Sequence, residues 1–390
     1  VKYSPNATGI LGLSTPSFTE VSMSNNKPVI TAGLARLLNI VFLLFALIVV
    51  NSVYLAAITV LEAVSGALYQ DYFYLLMFLL HLLLGLLITV PFILFGLGHM
   101  RRALERPNRY AKRAGIGLFT VALVLLVTGL LLTRFGILEI NDPFVRQVLY
   151  WLHVISPFVV AWLFVLHRLA GPAIHWRRGL RWGAIAAGFA AVMVVVQAGL
   201  PDTDEAPEPV VFSPASTQLA ATGFIPPEHL MTDEVCAECH EDIARTHAMS
   251  MHRFSSMNNP AYKFSVAETR RVVLERDGSV QASRFCAACH DPVPLFSGRW
   301  DAADFDMDND PTGLAGITCL SCHAMDSVNS TRGNGDYSLG DPLRYPFAHS
   351  DSALLTAINR QLIRAKPAYH RKTLLKPFHT TAEFLSLIHI

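Results

Sequence analysis

The sequence predicts a mainly α-helical chain in two unlike halves, a five-span transmembrane bundle followed by a loop-rich domain. Two observations predict it. Of the 390 residues, 52% are hydrophobic and only 16% charged; that is too apolar for a soluble chain of this length, and the excess lies before residue 200. Beyond residue 230 the word C-x-x-C-H occurs three times, as Cys236-Ala237-Glu238-Cys239-His240, Cys286-Ala287-Ala288-Cys289-His290 and Cys319-Leu320-Ser321-Cys322-His323, and it uses all six cysteines. A net charge of +1 gives no reason to expect nucleic acid as a partner.

Residues 1–36 form a polar lead-in rich in Ser, Thr and Asn, in which Met23 reads as a more natural start than Val1. Residues 37–200 form the membrane domain. Its apolar runs, 37–60, 72–98, 114–134, 148–170 and 182–200, are each near the roughly 20 residues that cross a bilayer. The first is too long, and lacks the small-residue cleavage site, to be a removable signal peptide. Arg101, Arg102, Arg106, Arg109, Lys112 and Arg113 crowd the loop after the second run, and Arg168, Arg177, Arg178 and Arg181 the loop after the fourth. The loop after the first run carries only Glu62 and Asp71. Basic loops stay in the cytoplasm, so five spans deliver the rest of the chain to the outer side.

Ionisable residues inside a bilayer are expensive and usually functional. His81 and His99 lie on the second run, His153 and His167 on the fourth. Separations of eighteen and fourteen residues are close to five and four helical turns, so each span presents two histidines on one stripe. Facing pairs at two depths suit two b-type haems, each iron held between imidazoles; the alternative is buried polar residues bonding to neighbouring helices. Asn39 and Asn51, with Thr120, Thr128 and Thr133, read as helix–helix contacts.

The pattern resembles the di-haem cytochrome b membrane subunits, including the run Leu166-His167-Arg168-Leu169-Ala170-Gly171. That resemblance implies His81 with His153 for an outer haem and His99 with His167 for an inner one. Four extra residues between the histidines of the second span add about 6 Å of rise, which leaves His175 as a substitute in the inner pair.

Residues 201–230, with Pro201, Pro207, Pro209, Pro214, Pro226 and Pro227, read as a semi-stiff spacer that lifts the second half off the membrane. Residues 231–390 hold the cysteine words. Two thiols three residues apart add to the vinyl groups of one haem, and the next histidine ligates its iron; zinc knuckles and redox disulfides do not require that histidine. Three covalent c-type haems follow, with Cys236, Cys239, His240, Cys286, Cys289, His290, Cys319, Cys322 and His323 as their attachment and proximal residues. Such a domain is expected to be cored by haem rather than by side chains, with short helices after each word. Sixth ligands are available in His247, His252, His349, His370 and His379, and less readily His229. The aspartates at 301, 304, 306, 308 and 310 read as a solvated acidic loop, since Pro311 and Ile317 break the calcium-loop pattern.

The stretch from Cys236 to Ser250-Met251-His252, then Phe285 to Pro292, Gly316 to Cys319 and Leu375-Lys376-Pro377-Phe378-His379 with Glu383-Phe384, resembles the multihaem cytochromes c related to the tetrahaem cytochrome of ammonia oxidisers. The resemblance implies closely packed bis-histidine haems with His252 and His379 as distal ligands; His349 is a further candidate. In such proteins Glu-Phe leads into another C-x-x-C-H. Here Leu385-Ser386-Leu387-Ile388-His389-Ile390 follows, a tail foreign to the domain, which is expected to continue and to carry more haems.

The expected function is electron transfer in a bacterial cytoplasmic membrane, from membrane quinol through b-type haems to periplasmic c-type haems and on to a periplasmic or extracellular redox partner. The alternative is a periplasmic oxidoreductase acting on a small nitrogen or sulfur compound at an open haem.

Overall fold

A computed structural model of the chain describes residues 30–66, 69–135, 139–171, 176–199, 209–220, 223–302, 304–341 and 345–384. Most of the lead-in, His175 and the tail with His389 lie outside the described residues.

Five long helices make the first half: α1 (Ala32–Ser65), α2 (Tyr72–Ala103), α3 (Arg109–Leu132), α4 (Pro143–Leu169) and α5 (Trp176–Gly199). All five are long and apolar enough to cross a membrane. Their starts are chemically marked. Thr31, Asp71, Asn108 and Asp142 each accept a hydrogen bond from a backbone N–H of the first turn, satisfying donors that the helix itself cannot. Gly66 closes α1 in the left-handed region at φ 75°, where glycine carries no Cβ penalty. α1 lies along α2, α3 along α4, and α5 against α1. Large apolar side chains such as Leu83, Val90, Trp162 and Val194 face outward, as lipid-facing residues do. Asn51, fully buried, donates to the Met77 carbonyl at 2.9 Å and ties α1 to α2.

The second half is built from short pieces: β1 (Val210–Val211), β2 (Gln218–Ala220), α6 (Pro227–Leu230), α7 (Asp233–Ala237), α8 (Glu241–Ala248), α9 (Pro260–Asp277), α10 (Arg284–His290), α11 (Pro292–Phe296), α12 (Cys319–His323), β3 (Met325–Val328), β4 (Tyr337–Gly340), α13 (Ala353–Ala365) and α14 (Pro367–Leu374). The strands form one small sheet in the order β1-β2-β4-β3, with β2 parallel to β4 and the other pairs antiparallel.

Three expectations need correction. Of the expected spacer 201–230, residues 201–208 and 221–222 lie outside the described residues; the rest belongs to the domain, with β1 and β2 in the sheet and Phe212, Leu219, Ile225 and Leu230 buried in the core. That core consists of side chains, with Trp300, Phe296, Leu295 and Tyr337 also inside. It was hidden because aromatics from many short segments converge without any period. Short helices follow the first two words, but strand β3 follows the third.

The second half also rests directly on the bundle instead of standing off it. Tyr74 and Leu75 of α2 form one buried cluster with Tyr345, Leu362 and Tyr369, joined by Tyr54, Ile58, Phe78 and Leu79. Polar contacts frame the cluster. Lys372 pairs with the buried Glu62 at 3.5 Å, the Tyr72 hydroxyl donates to the Tyr345 carbonyl, and Gln361 donates to the Thr133 carbonyl. Lys366 donates to the Tyr74 hydroxyl and lies 4.2 Å from the centroid of that ring. Glu62, Tyr74 and Thr133 mark one end of the bundle, and the two basic loops lie at the other.

Candidate haem sites

An imidazole nitrogen lies about 1 Å from its ring centroid and about 2 Å from a metal it binds, so two imidazoles on opposite faces of one iron have centroids about 6 Å apart. Two histidine pairs inside the bundle meet that separation. His81 and His153 are 6.2 Å apart with ring planes at 85°; His99 and His167 are 6.1 Å apart, also at 85°. The four histidines are thus brought together in the combination that the cytochrome b resemblance implies.

The surroundings suit ligands. A carbonyl has no proton, so an Nδ1 that faces one must carry N–H, which leaves the Nε2 lone pair for a metal. His167 Nδ1 donates to the Ala111 carbonyl at 3.0 Å, and His153 Nδ1 to the Leu125 carbonyl at 3.2 Å, with Thr128 Oγ1 at 3.3 Å. His81 Nδ1 lies 3.4 Å from Ser52 Oγ. His99 Nδ1 is buried with no hydrogen-bond partner. Helix α3 presents glycine to both α4 rings. A Cβ on Gly115 would lie 3.1 Å from the His167 ring, and one on Gly129 would lie 2.9 Å from that of His153. These glycines escaped the sequence reading; their fourteen-residue separation, matching that of His153 and His167, was the available signal.

In the second half each C-x-x-C-H word sits on or beside a short helix. Thr318 caps α12 through a reciprocal bond with Ser321, and α10 ends at His290. Two of the three proximal histidines follow the same tautomer logic: His290 Nδ1 faces the Ser255 carbonyl at 2.9 Å, and His323 Nδ1 the Leu374 carbonyl at 2.7 Å. All six cysteines are free thiols, as haem attachment requires.

The distal residues divide. His323 and His379 face one another 5.3 Å apart and 26° from parallel, closer than an iron-bridged pair; His379 Nε2 donates to the Cys322 carbonyl at 3.1 Å, a bond it must release before it can take an iron. His240 and His370 stand 6.3 Å apart with planes 12° from parallel. His370 belongs among the sixth-ligand candidates but outside the resemblance-based set. Burial and the nearness of His240 and His323 hold its pKa below the usual imidazole value. His252, by contrast, is exposed, and among the described residues no ring contact joins it to a word histidine. His349 stacks on His229 with centroids 3.3 Å apart, too close for an iron between them. Among the described residues, then, the rings of His370 and His379 face word histidines and those of His252 and His349 do not.

The second word differs from the others. The ring in contact with His290 is that of Tyr262, 4.3 Å away and 18° from parallel, and its hydroxyl donates to Asp291. Burial pushes the Asp291 carboxyl up to about 7. No histidine ring faces His290 among the described residues.

The first and third words adjoin. The Cys319 N–H donates to the Asp233 carboxylate at 2.9 Å, and Asp233 opens α7, which carries Cys236. The acidic loop is less solvated than its composition suggests. Arg284 grips Asp301 and Arg299 grips Asp310, at 2.6 and 3.0 Å, and Asp306 caps its own turn.

Residues 235–324 match the family described as cytochrome c554 and c-prime, a segment that includes all three words. The match supports a multihaem cytochrome c domain that binds haem covalently and transfers electrons. Comparison with curated proteins and with solved structures found no match.

Proposed function

We propose that the chain is a membrane-bound electron-transfer cytochrome that carries electrons from membrane quinol, through two b-type haems in the bundle, to c-type haems on the periplasmic side. When bound, the haems supply the one-electron couples; the protein supplies spacing, ligands and a dry path. His81 with His153 and His99 with His167 would hold the b haems, with Gly115 and Gly129 leaving room beside the rings. His240 with His370 and His323 with His379 would hold two c haems, and His290 with Cys286 and Cys289 a third.

The observation that carries this reading is the placement of His370. Its neighbour Tyr369 is fully buried in the cluster that joins α14 to α2. On α2 the same cluster ends at Phe78 and Leu79, within one turn of His81. The same apolar cluster therefore adjoins both His81 and His370 in the chain, which supports the first word as the entry point of the outer domain. The adjacent third word is the next station. Orientation rests on the basic loops at the opposite end of the bundle. The test is haem content. Acid acetone should extract two haems per chain and leave the covalent ones; an extract free of haem would remove the b-haem half of the reading.

A second reading attaches to the second word. With Tyr262 rather than a histidine against His290, its haem would have an open face, and a small nitrogen or sulfur compound could react there. Binding of cyanide or nitric oxide by one c haem of the three would favour it; three low-spin c haems that ignore both ligands would exclude it.

A further inference from the structure

The stack of His229 on His349 belongs to none of the haem words. Its rings are 8° from parallel, so they must rotate about χ2 before both can aim a nitrogen at one ion, and the Asp341 carboxylate lies 3.5 Å from His229 Nδ1. That nitrogen is buried and makes no hydrogen bond. One donor atom from each of the three residues lies within 4.8 Å of the other two. The three come from separate places in the chain: α6, the residue after β4, and the turn that follows Tyr345. We propose that His229, Asp341 and His349 bind one divalent transition-metal ion.

The donor set selects the ion. Two imidazole nitrogens and one carboxylate oxygen suit Zn²⁺ or Cu²⁺, whereas Ca²⁺ and Mg²⁺ take oxygen ligands. His349 and Asp341 are exposed, so an ion can enter from solvent, and three protein ligands leave a fourth position for water. A haem iron between the two rings is excluded by the 3.3 Å separation. The site has a structural consequence. Tyr345 and Ala348, in the turn that carries His349, belong to the cluster that docks on α2. An ion shared with His229 would brace that turn against α6, on which Leu230 is locked into the domain core. The inference does not depend on the b haems or on the direction of electron flow.

The experiment uses the full haem-loaded chain in detergent, stripped with EDTA, incubated with Zn²⁺ and dialysed, with zinc and iron counted by mass spectrometry. The wild type should retain one zinc per chain. His229→Ala and His349→Ala should retain none, and Asp341→Asn should weaken binding at least tenfold, all with unchanged haem spectra. The proposal is overturned if the wild type retains no zinc, or if the alanine variants retain as much as the wild type. It is also overturned if His349→Ala converts a low-spin haem to high spin, because that residue would then be a haem ligand.

Discussion

Tyr369 and His370 are consecutive residues of α14 with opposite tasks: Tyr369 is buried against the membrane helices, while His370 faces His240 of the first cysteine word at 6.3 Å. On the proposed ligation, docking and haem binding are one mechanical unit: a shift of α14 would move His370 away from His240 and loosen the seam with α2 together.

The first prediction concerns ligation. His370→Ala and His379→Ala should each convert one c haem from low spin to high spin, seen as a high-spin ferric signal in electron paramagnetic resonance worth one haem per chain. His252→Ala should leave the haems of the three words low or high spin as they were. A ligation change at one of those words in the His252 variant, with none in the His370 variant, would reverse the assignment.

The bundle pairs make a second prediction. His153→Ala should lower acid-acetone-extractable haem from two per chain to one, and His153→Ala combined with His167→Ala should abolish it. Gly129→Val should mimic the first loss, since even a Cβ there would stand 2.9 Å from the His153 ring. Extractable haem unchanged in the double variant would refute these sites.

Leu362 is 1% exposed in the docking cluster. Leu362→Ala should destabilise the seam by roughly 2–5 kcal/mol, the range for large-to-small changes in a packed core. The expected readout is faster proteolysis within α13 and α14, with c-haem attachment retained. Protection equal to that of the wild type would mean that the seam adds little.

Lys366 gives a pH prediction. Burial lowers its pKa from the ordinary 10.5 to about 8. The docked state therefore binds fewer protons than the undocked state between about pH 8 and 10.5, and docking should strengthen as pH rises through that window. Below pH 8 the burial penalty is fully present. Lys366→Met should remove the pH dependence and raise protection at neutral pH; hydrogen exchange at α13 checks both. A dependence that persists in the Met variant would place its origin elsewhere.

Much of this was legible before any coordinates. The five spans follow from apolar run length, and the stripe of two histidines on each of the second and fourth spans follows from the 3.6-residue period; the combination of His81 with His153 and His99 with His167 is what the resemblance to di-haem cytochromes b implies. The cysteine words carry their own chemistry. What stayed hidden depends on contacts between remote segments. Nothing near His370 distinguishes it from His252 or His349; its place opposite His240 is set by the return of α13 and α14 to the bundle. Strands of two to four residues are too short to show alternation, so residues 210–220 read as part of the proline-rich linker 201–230. Glu62 counted only as a loop charge, although it accepts from Gln70 and pairs with Lys372 across the seam.

The central claim is that electrons reach the c haems through the bundle histidines and enter at the first word. The most direct measurement is stopped-flow reduction of the c haems by a quinol in the full chain and in its His153→Ala variant, with dithionite as the control. The account predicts rapid c-haem reduction by quinol in the wild type, at least a hundredfold slower reduction in the variant, and complete reduction of both by dithionite. Equal quinol rates in the two proteins would contradict it.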